Sequence, residues 1–112
     1  MKRISFKPEF KEPILTGVKT ATARWRDLKL KPGEIVAAVT AQDGKPAFLV
    51  PAKDAFAHLE IEYAWPRQWA TMGESDAKRT GVTLDWYLKE KPDAKPDDTI
   101  WFYTFKRIKE GV

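Results

Sequence analysis

Ile14-Leu15-Thr16-Gly17-Val18-Lys19-Thr20-Ala21-Thr22-Ala23-Arg24-Trp25-Arg26 is the stretch on which the fold of this chain turns. A short apolar turn ends at Gly17, the residue type that lets a helix close and the chain reverse. Lys19 follows directly. Polar and small residues then alternate at a period of two, the period of a strand. The pattern predicts one face carrying Thr20, Thr22, Arg24 and Arg26, and the opposite face carrying Ala21, Ala23 and Trp25. Hydroxyls and guanidiniums in a row are costly to bury alone, but they are satisfied by a phosphate, a carboxylate or a polar base. Read from the residues alone, the same row also describes a solvated strand with ordinary cations.

Working outward, Ile4-Ser5-Phe6 reads as a first short strand. Pro8 and Pro13 bracket a turn of helix, and Pro13 is tolerated only near a helix start. Glu34 to Ala41 reads as a strand entered through the Pro32-Gly33 turn. Asp43-Gly44 carries a hairpin signal, which places a returning strand at Ala47 to Val50 and further extended chain at Ala55 to Ile61. Tyr63 to Gly73 reads as an aromatic loop. Short helices are predicted at Glu74 to Arg79 and after Thr83, with Thr83 as N-cap. Thr99 to Ile108 is rich in aromatic and β-branched residues and reads as the last strand. Strands outnumber long helices, so the expected class is mainly β or α+β, a small β-barrel carrying two or three short helices.

The Lys19-to-Arg24 block resembles the ASCH family, small domains with a PUA-like β-barrel. The resemblance rests on Ile14-Leu15-Thr16-Gly17-Val18-Lys19-Thr20 followed by Ala21-Thr22-Ala23-Arg24. It continues more weakly through Gly33-Glu34-Ile35-Val36 and Ile100-Trp101-Phe102-Tyr103-Thr104-Phe105. It implies a single ASCH domain over residues 1–112 and a cleft beside the Gly17 to Arg26 segment, covered by the loop Tyr63 to Gly73. The function it implies is binding of RNA or a modified nucleoside or nucleotide through Lys19, Thr20, Thr22, Arg24 and Arg26. A similarity to bacterial N(4)-acetylcytidine amidohydrolases implies an alternative, a hydrolase of N(4)-acylated cytidine or a ribonuclease. Lys19 and Thr22 match that family's catalytic lysine and threonine. Its glutamate position is occupied by Thr80, so a hydrolase must recruit Glu74, Asp76 or Glu62, with Glu74 the first choice. Lys19 would serve as base and Thr22 as nucleophile or water-positioning group.

The remaining composition narrows the partners. The chain has 112 residues, twenty Lys and Arg against sixteen Asp and Glu, and a net charge of +4. That mild excess favours anionic partners without requiring them. Lys2, Arg3, Lys7 and Lys11 near one end and Lys106, Arg107 and Lys109 near the other converge into one patch if the first and last strands are neighbours. There is no cysteine and one histidine, His58, so no metal and no cofactor are expected. No stretch reaches the roughly 20 apolar residues of a membrane span. With no signal-peptide pattern at the N-terminus, a cytoplasmic location is expected, and a monomer is favoured. Asparagine is absent and charged residues make up 32%, a profile that leans toward a heat-adapted or GC-rich source. Five tryptophans are available, and Trp65 or Trp69 is the candidate to stack on a base, against the plain alternative of core packing. Gly17-Val18-Lys19-Thr20 is not a phosphate loop, because Val18 separates the glycine from the lysine and position 12 is Glu12.

Overall fold

The structure is a computed structural model and describes residues 1–108. Its centre is a five-stranded mixed sheet. The strands are β1 (Arg3–Phe6), β2 (Ala21–Arg24), β3 (Ile35–Thr40), β4 (Ala57–Gln68) and β5 (Thr99–Ile108), in the order β1-β3-β4-β5-β2. β1 runs parallel to β3, and the other pairs are antiparallel. Three short helices complete the fold: α1 (Lys11–Thr16), α2 (Glu74–Arg79) and α3 (Leu84–Glu90). The α+β class and the PUA-like arrangement agree with the sequence. The barrel does not close, because β1 and β2 are the two edges and do not pair.

Both faces of the sheet are covered, which explains the near-continuous apolar run in β5. Tyr103 and Phe105 join Ile4, Phe6, Ile14, Leu59 and Ile61 in one core. Ile100 and Phe102 point the other way and pack with Ala21, Ala23, Met72, Ala77 and Tyr87. A strand buried on both sides loses the alternation that marks a half-exposed one.

Three expectations are corrected. The strand predicted at Ala47 to Val50 is absent. Asp43-Gly44 does make a tight reversal, with a bridge between Gln42 and Lys45. Beyond it the chain forms two 3-10 turns, Ala47–Leu49 and Ala52–Asp54, each entered from a proline. Pro46 and Pro51 lack the N–H groups a ladder needs there. Tyr63 to Gln68 is strand rather than loop. A bulge between Ile61 and Tyr63 carries β4 past the end of its pairing with β3, so this part of β4 is an edge on that side. Pro66 is tolerated in such an edge. The terminal basic residues do not gather in one patch: Lys2 and Arg3 line one hollow, and Lys106 and Arg107 line another. Lys109 lies outside the described residues.

Candidate functional site

The path into the site is set by two glycines. Gly17 ends α1 in the left-handed region at φ 82°, and the Lys19 N–H returns to the Pro13 carbonyl at 2.9 Å. Thr20 N–H then donates to the Arg79 carbonyl at 3.2 Å, tying the segment to the end of α2. Gly81, at φ 88°, lies against the Lys19 stem; a Cβ there would sit 3.6 Å from Lys19 Cδ. Lys19 is thus threaded inward, and only 4% of it is exposed.

Over Ala21 to Arg24 the predicted alternation holds, whereas Trp25, expected with the alanines, also reaches the side of Thr22 and Arg24. Ala21 and Ala23 enter the core behind the sheet, while Thr22 and Arg24 face the opposite side. They open onto a cleft of about 410 Å³, within the usual size range of small-molecule sites. The cleft lies at the seam between the two unpaired edges. Arg24 spans that seam: one guanidinium nitrogen donates to the Ser5 carbonyl of β1 at 2.7 Å, and Nε donates to Thr22 Oγ1 at 3.1 Å. Its Cζ stands 5.3 Å from the Phe6 ring centre.

Lys19 Nζ donates to the Thr80 carbonyl. It also lies 4.7 Å from the Phe10 ring centre and 5.7 Å from that of Phe6. Among the described residues no carboxylate comes within hydrogen-bond or ion-pair distance of Lys19, Thr22 or Arg24. Burial, with the Arg24 charge adding to it, pushes the Lys19 amine down to about 7. Burial also holds Arg24 below its ordinary value, opposed by Tyr87 and Glu90. The buried Tyr87 hydroxyl donates to Thr80 Oγ1 at 2.6 Å, which donates on to Ala77 O at 2.6 Å. Burial raises the Tyr87 pKa, while its partners Thr80, Arg24 and Ala23 oppose the rise.

The structure places the other predicted residues as follows. Thr20 turns into a neighbouring hollow, where its hydroxyl accepts from Arg79 Nε at 3.4 Å. Arg26 stands exposed on the rim of the cleft. Trp65 packs on Phe102 with ring centres 5.2 Å apart, and Trp69 packs on Trp25 at the same separation; neither lines the cleft. Glu74 is exposed at the start of α2, away from the cleft. Asp76 caps that helix through the Gly73 N–H at 3.0 Å and pairs with Arg67 at 3.2 Å. Glu62 lines the neighbouring hollow.

The cover is α3 and the turn before α1, not the segment Tyr63 to Gly73. Phe10, Trp25, Trp86 and Tyr87 wall the cleft, and Glu90 sits at its edge, 3.5 Å from Lys7. Sequence reasoning missed these residues. Trp86 and Glu90 are four apart in α3 and therefore share a face; the helix expected from the sequence stops at Lys89, one residue short of Glu90. The Trp25 indole nitrogen is buried with no hydrogen-bond partner. Among the described residues no group of three or more metal-ligating side chains is gathered, and no helix is long and apolar enough to cross a membrane.

This architecture recurs in solved structures. The ASCH protein of Zymomonas mobilis superposes with a TM-score of 0.71 at 14% identity, over 96% of this chain and 69% of that one. The ASCH domain of Lactobacillus crispatus gives 0.66 at 17%, over 95% and 79%. A protein of Enterococcus faecalis assigned to the family DUF984 gives 0.68 at 16%, over 96% and 76%. The chain has the ASCH-domain fold. No protein-family model and no curated protein matches the sequence. At these identities the likeness is one of fold, and the chemistry of the cleft stands on its own residues. Within that fold, this chain lines the cleft that holds the buried lysine with Thr80, Trp86 and Glu90.

Proposed function

We propose that the chain binds a nucleoside or nucleotide, carried in RNA or modified, in the cleft around Lys19. One observation carries the reading. Two buried or half-buried cations, Lys19 and Arg24, share a ligand-sized hollow with aromatic walls, and no carboxylate among the described residues partners either. Buried charges are normally paired. An acceptor arriving from outside supplies the missing partner, and the rings of Phe10, Trp25 and Trp86 offer a surface for a base. The orphaned Trp25 N–H adds a donor on the same wall.

The test is a thermal-shift screen of nucleosides and nucleotides, since a saturating ligand raises stability in proportion to RT ln(1 + [L]/Kd). A hit that Lys19→Ala weakens supports the reading; unchanged affinity in that variant refutes it.

A hydrolase reading is favoured by one feature, an amine brought to about 7 in the cleft that Thr22 also lines, as a general base requires. Water attack on the amide of an N(4)-acylated cytidine would release the free base amine and a carboxylic acid. The carboxylate at the cleft is Glu90, exposed and held by Lys7. Acid release from N(4)-acetylcytidine that is lost in Lys19→Ala would establish this reading over simple binding.

A further inference from the structure

β4 outruns the strand beside it. The chain joins the β3 side of the ladder only at Gly33, whose φ of 85° makes the turn and whose N–H donates to the Ile61 carbonyl at 2.7 Å. From Tyr63 to Gln68, β4 pairs with β5 on one side and with no strand among the described residues on the other. This edge is open to solvent: Tyr63 is 64% exposed, and Pro66 and Gln68 are exposed as well. Pro66 fixes which backbone groups point outward. It stands opposite Trp101 of β5 and has no N–H, so that pair is a non-hydrogen-bonded one. Trp65 and Arg67 therefore carry the rungs to β5, and the outward row belongs to Ala64, Pro66 and Gln68. The Gln68 carbonyl is taken by the Thr71 hydroxyl at 2.7 Å. Among the described residues, the Ala64 N–H and C=O, the Pro66 C=O and the Gln68 N–H are left for a further strand.

A groove of about 520 Å³ lies along this edge. Its floor is apolar, made by Leu30, Ala64, Trp101 and Tyr103 on the face of the larger core. Its far wall is the loop Asp27 to Lys31, which is fixed by hydrogen bonds. Asp27 Oδ1 accepts from the Lys29 N–H at 2.7 Å and from the Tyr103 hydroxyl at 3.2 Å. The Leu28 N–H donates to that same hydroxyl at 2.8 Å, and Lys2 Nζ donates to the Lys29 carbonyl at 2.6 Å. These contacts hold Lys29 at φ 56°, the one non-glycine residue with positive φ among the described residues. A backbone kept in so sparsely populated a conformation marks a built wall rather than a slack loop. The rim is basic. Lys29 and Lys31 are exposed, and among the described residues neither ammonium has a carboxylate within ion-pair distance.

An open strand edge beside an apolar floor is the arrangement by which a sheet captures an extended chain: backbone bonds give affinity, and the floor reads alternate side chains. We propose that this groove binds an extended peptide segment of another protein, laid along Tyr63 to Gln68 as a sixth strand, apolar at alternate positions and acidic between them. At strand rise the edge is about 20 Å long, room for about six residues. The apolar residues cover Leu30, Ala64 and Trp101, and the acidic ones meet Lys29 and Lys31. The lysines decide against a second copy of this chain as the occupant. The edge that a copy would bring, Tyr63 to Gln68, carries no carboxylate, and both copies share the net charge of +4. The groove has no lining residue in common with the Lys19 cleft, so the proposal stands independently of the nucleoside reading.

The probe is an eight-residue peptide alternating valine and glutamate, capped at both ends, titrated into the isotope-labelled full chain and followed by amide and indole NMR signals. Saturable shifts are expected at the Ala64 and Gln68 amides and at the Trp65 and Trp101 indoles, with slowed hydrogen exchange at Ala64. The matching valine–lysine peptide should bind at least about fivefold more weakly, as expected for the loss of two rim ion pairs. Lys29→Glu with Lys31→Glu should reverse that preference; both side chains are exposed and clear of the Lys19 cleft, so folding and nucleoside binding are spared. A random octapeptide library panned against the full chain should enrich sequences alternating apolar and acidic residues, and lose that enrichment against the double variant. Equal binding of the two peptides overturns the proposal. So do shifts confined to other residues, or no saturable shift at millimolar peptide together with no patterned enrichment. Shifts at Ala64 that grow with protein concentration in the absence of peptide would assign the edge to a second copy and overturn it too.

Discussion

Lys19→Met tests the burial of the lysine directly. The amine titrates near 7 in the folded chain, against 10.5 for an ordinary lysine. Between those values the unfolded chain holds a proton that the folded one has released, so stability must rise with pH across that window. Below 7 both states are protonated, and the full cost of burying the charge is present. Integration over a shift of that size gives a gain of about 2 kcal/mol between pH 7 and pH 9. The variant has no such group, and its curve lacks this increment. Other titrations are common to both proteins and cancel in the difference, those of Tyr87 and Tyr103, which burial raises, among them. Lys19→Met removes a charge cost of about 4 kcal/mol at pH 7 but strips the Thr80 carbonyl of its donor, worth about 1–3 kcal/mol. The net expectation at pH 7 is a variant more stable than the parent by about 1–3 kcal/mol, a gap that narrows as pH rises. Urea unfolding at several pH values measures both. Parallel stability curves for the two proteins would show that the amine titrates as an exposed lysine and that the cleft does not desolvate it.

Further expectations concern the neighbours. Arg24→Lys keeps the charge but loses the reach to Ser5 and Thr22; it should cost about 1–3 kcal/mol and speed amide exchange in β1, read by hydrogen exchange. Trp25→Phe removes a buried N–H that has no partner in the free protein, so the polar loss is offset and chemical denaturation should shift by less than about 1 kcal/mol, while nucleotide affinity falls. Gly17→Ala meets open space but sits at φ 82°, so thermal unfolding should show about 1–2 kcal/mol of backbone strain alone.

The legible part of this molecule was local. The alternation of Thr22 and Arg24 with Ala21 and Ala23 is a property of one strand, and both faces came out as read. The glycine at 17 and the helix after Thr83 are likewise written within a few residues, although Thr83 makes no side-chain cap. What failed depended on distant pairing. Tyr63 to Gln68 looked irregular because Pro66 spoils a strand in isolation. Only the reach of β5, ten residues long and paired with it along its length, makes that segment extended. The same fact moved Trp65 out of the cleft and onto Phe102. Glu74 is near a motif position only in sequence, whereas the carboxylate that reaches the cleft comes from the far end of α3, sixteen positions later by residue number (90 against 74).

The cleft and the failure of the sheet to close have one origin. Closure would require β1 and β2 to exchange backbone hydrogen bonds. Instead β2 offers a guanidinium to the Ser5 carbonyl, a contact several bonds longer than a ladder rung. The seam is held apart by the length of one arginine side chain, and the space so left is bounded by Phe6 on one side and Thr22 on the other. A hydrophobic residue at position 24 would let the edges collapse, and a strand partner there would fill the gap. Arginine does neither, because its donors need acceptors and its stem holds the edges at a fixed spacing. Lys19 is buried, with no carboxylate among the described residues to pair with and the Arg24 charge nearby, which is the condition that depresses its pKa. An acceptor entering the seam would relieve both groups at once, so proton uptake on ligand binding near pH 8 is the shared signature expected of this arrangement.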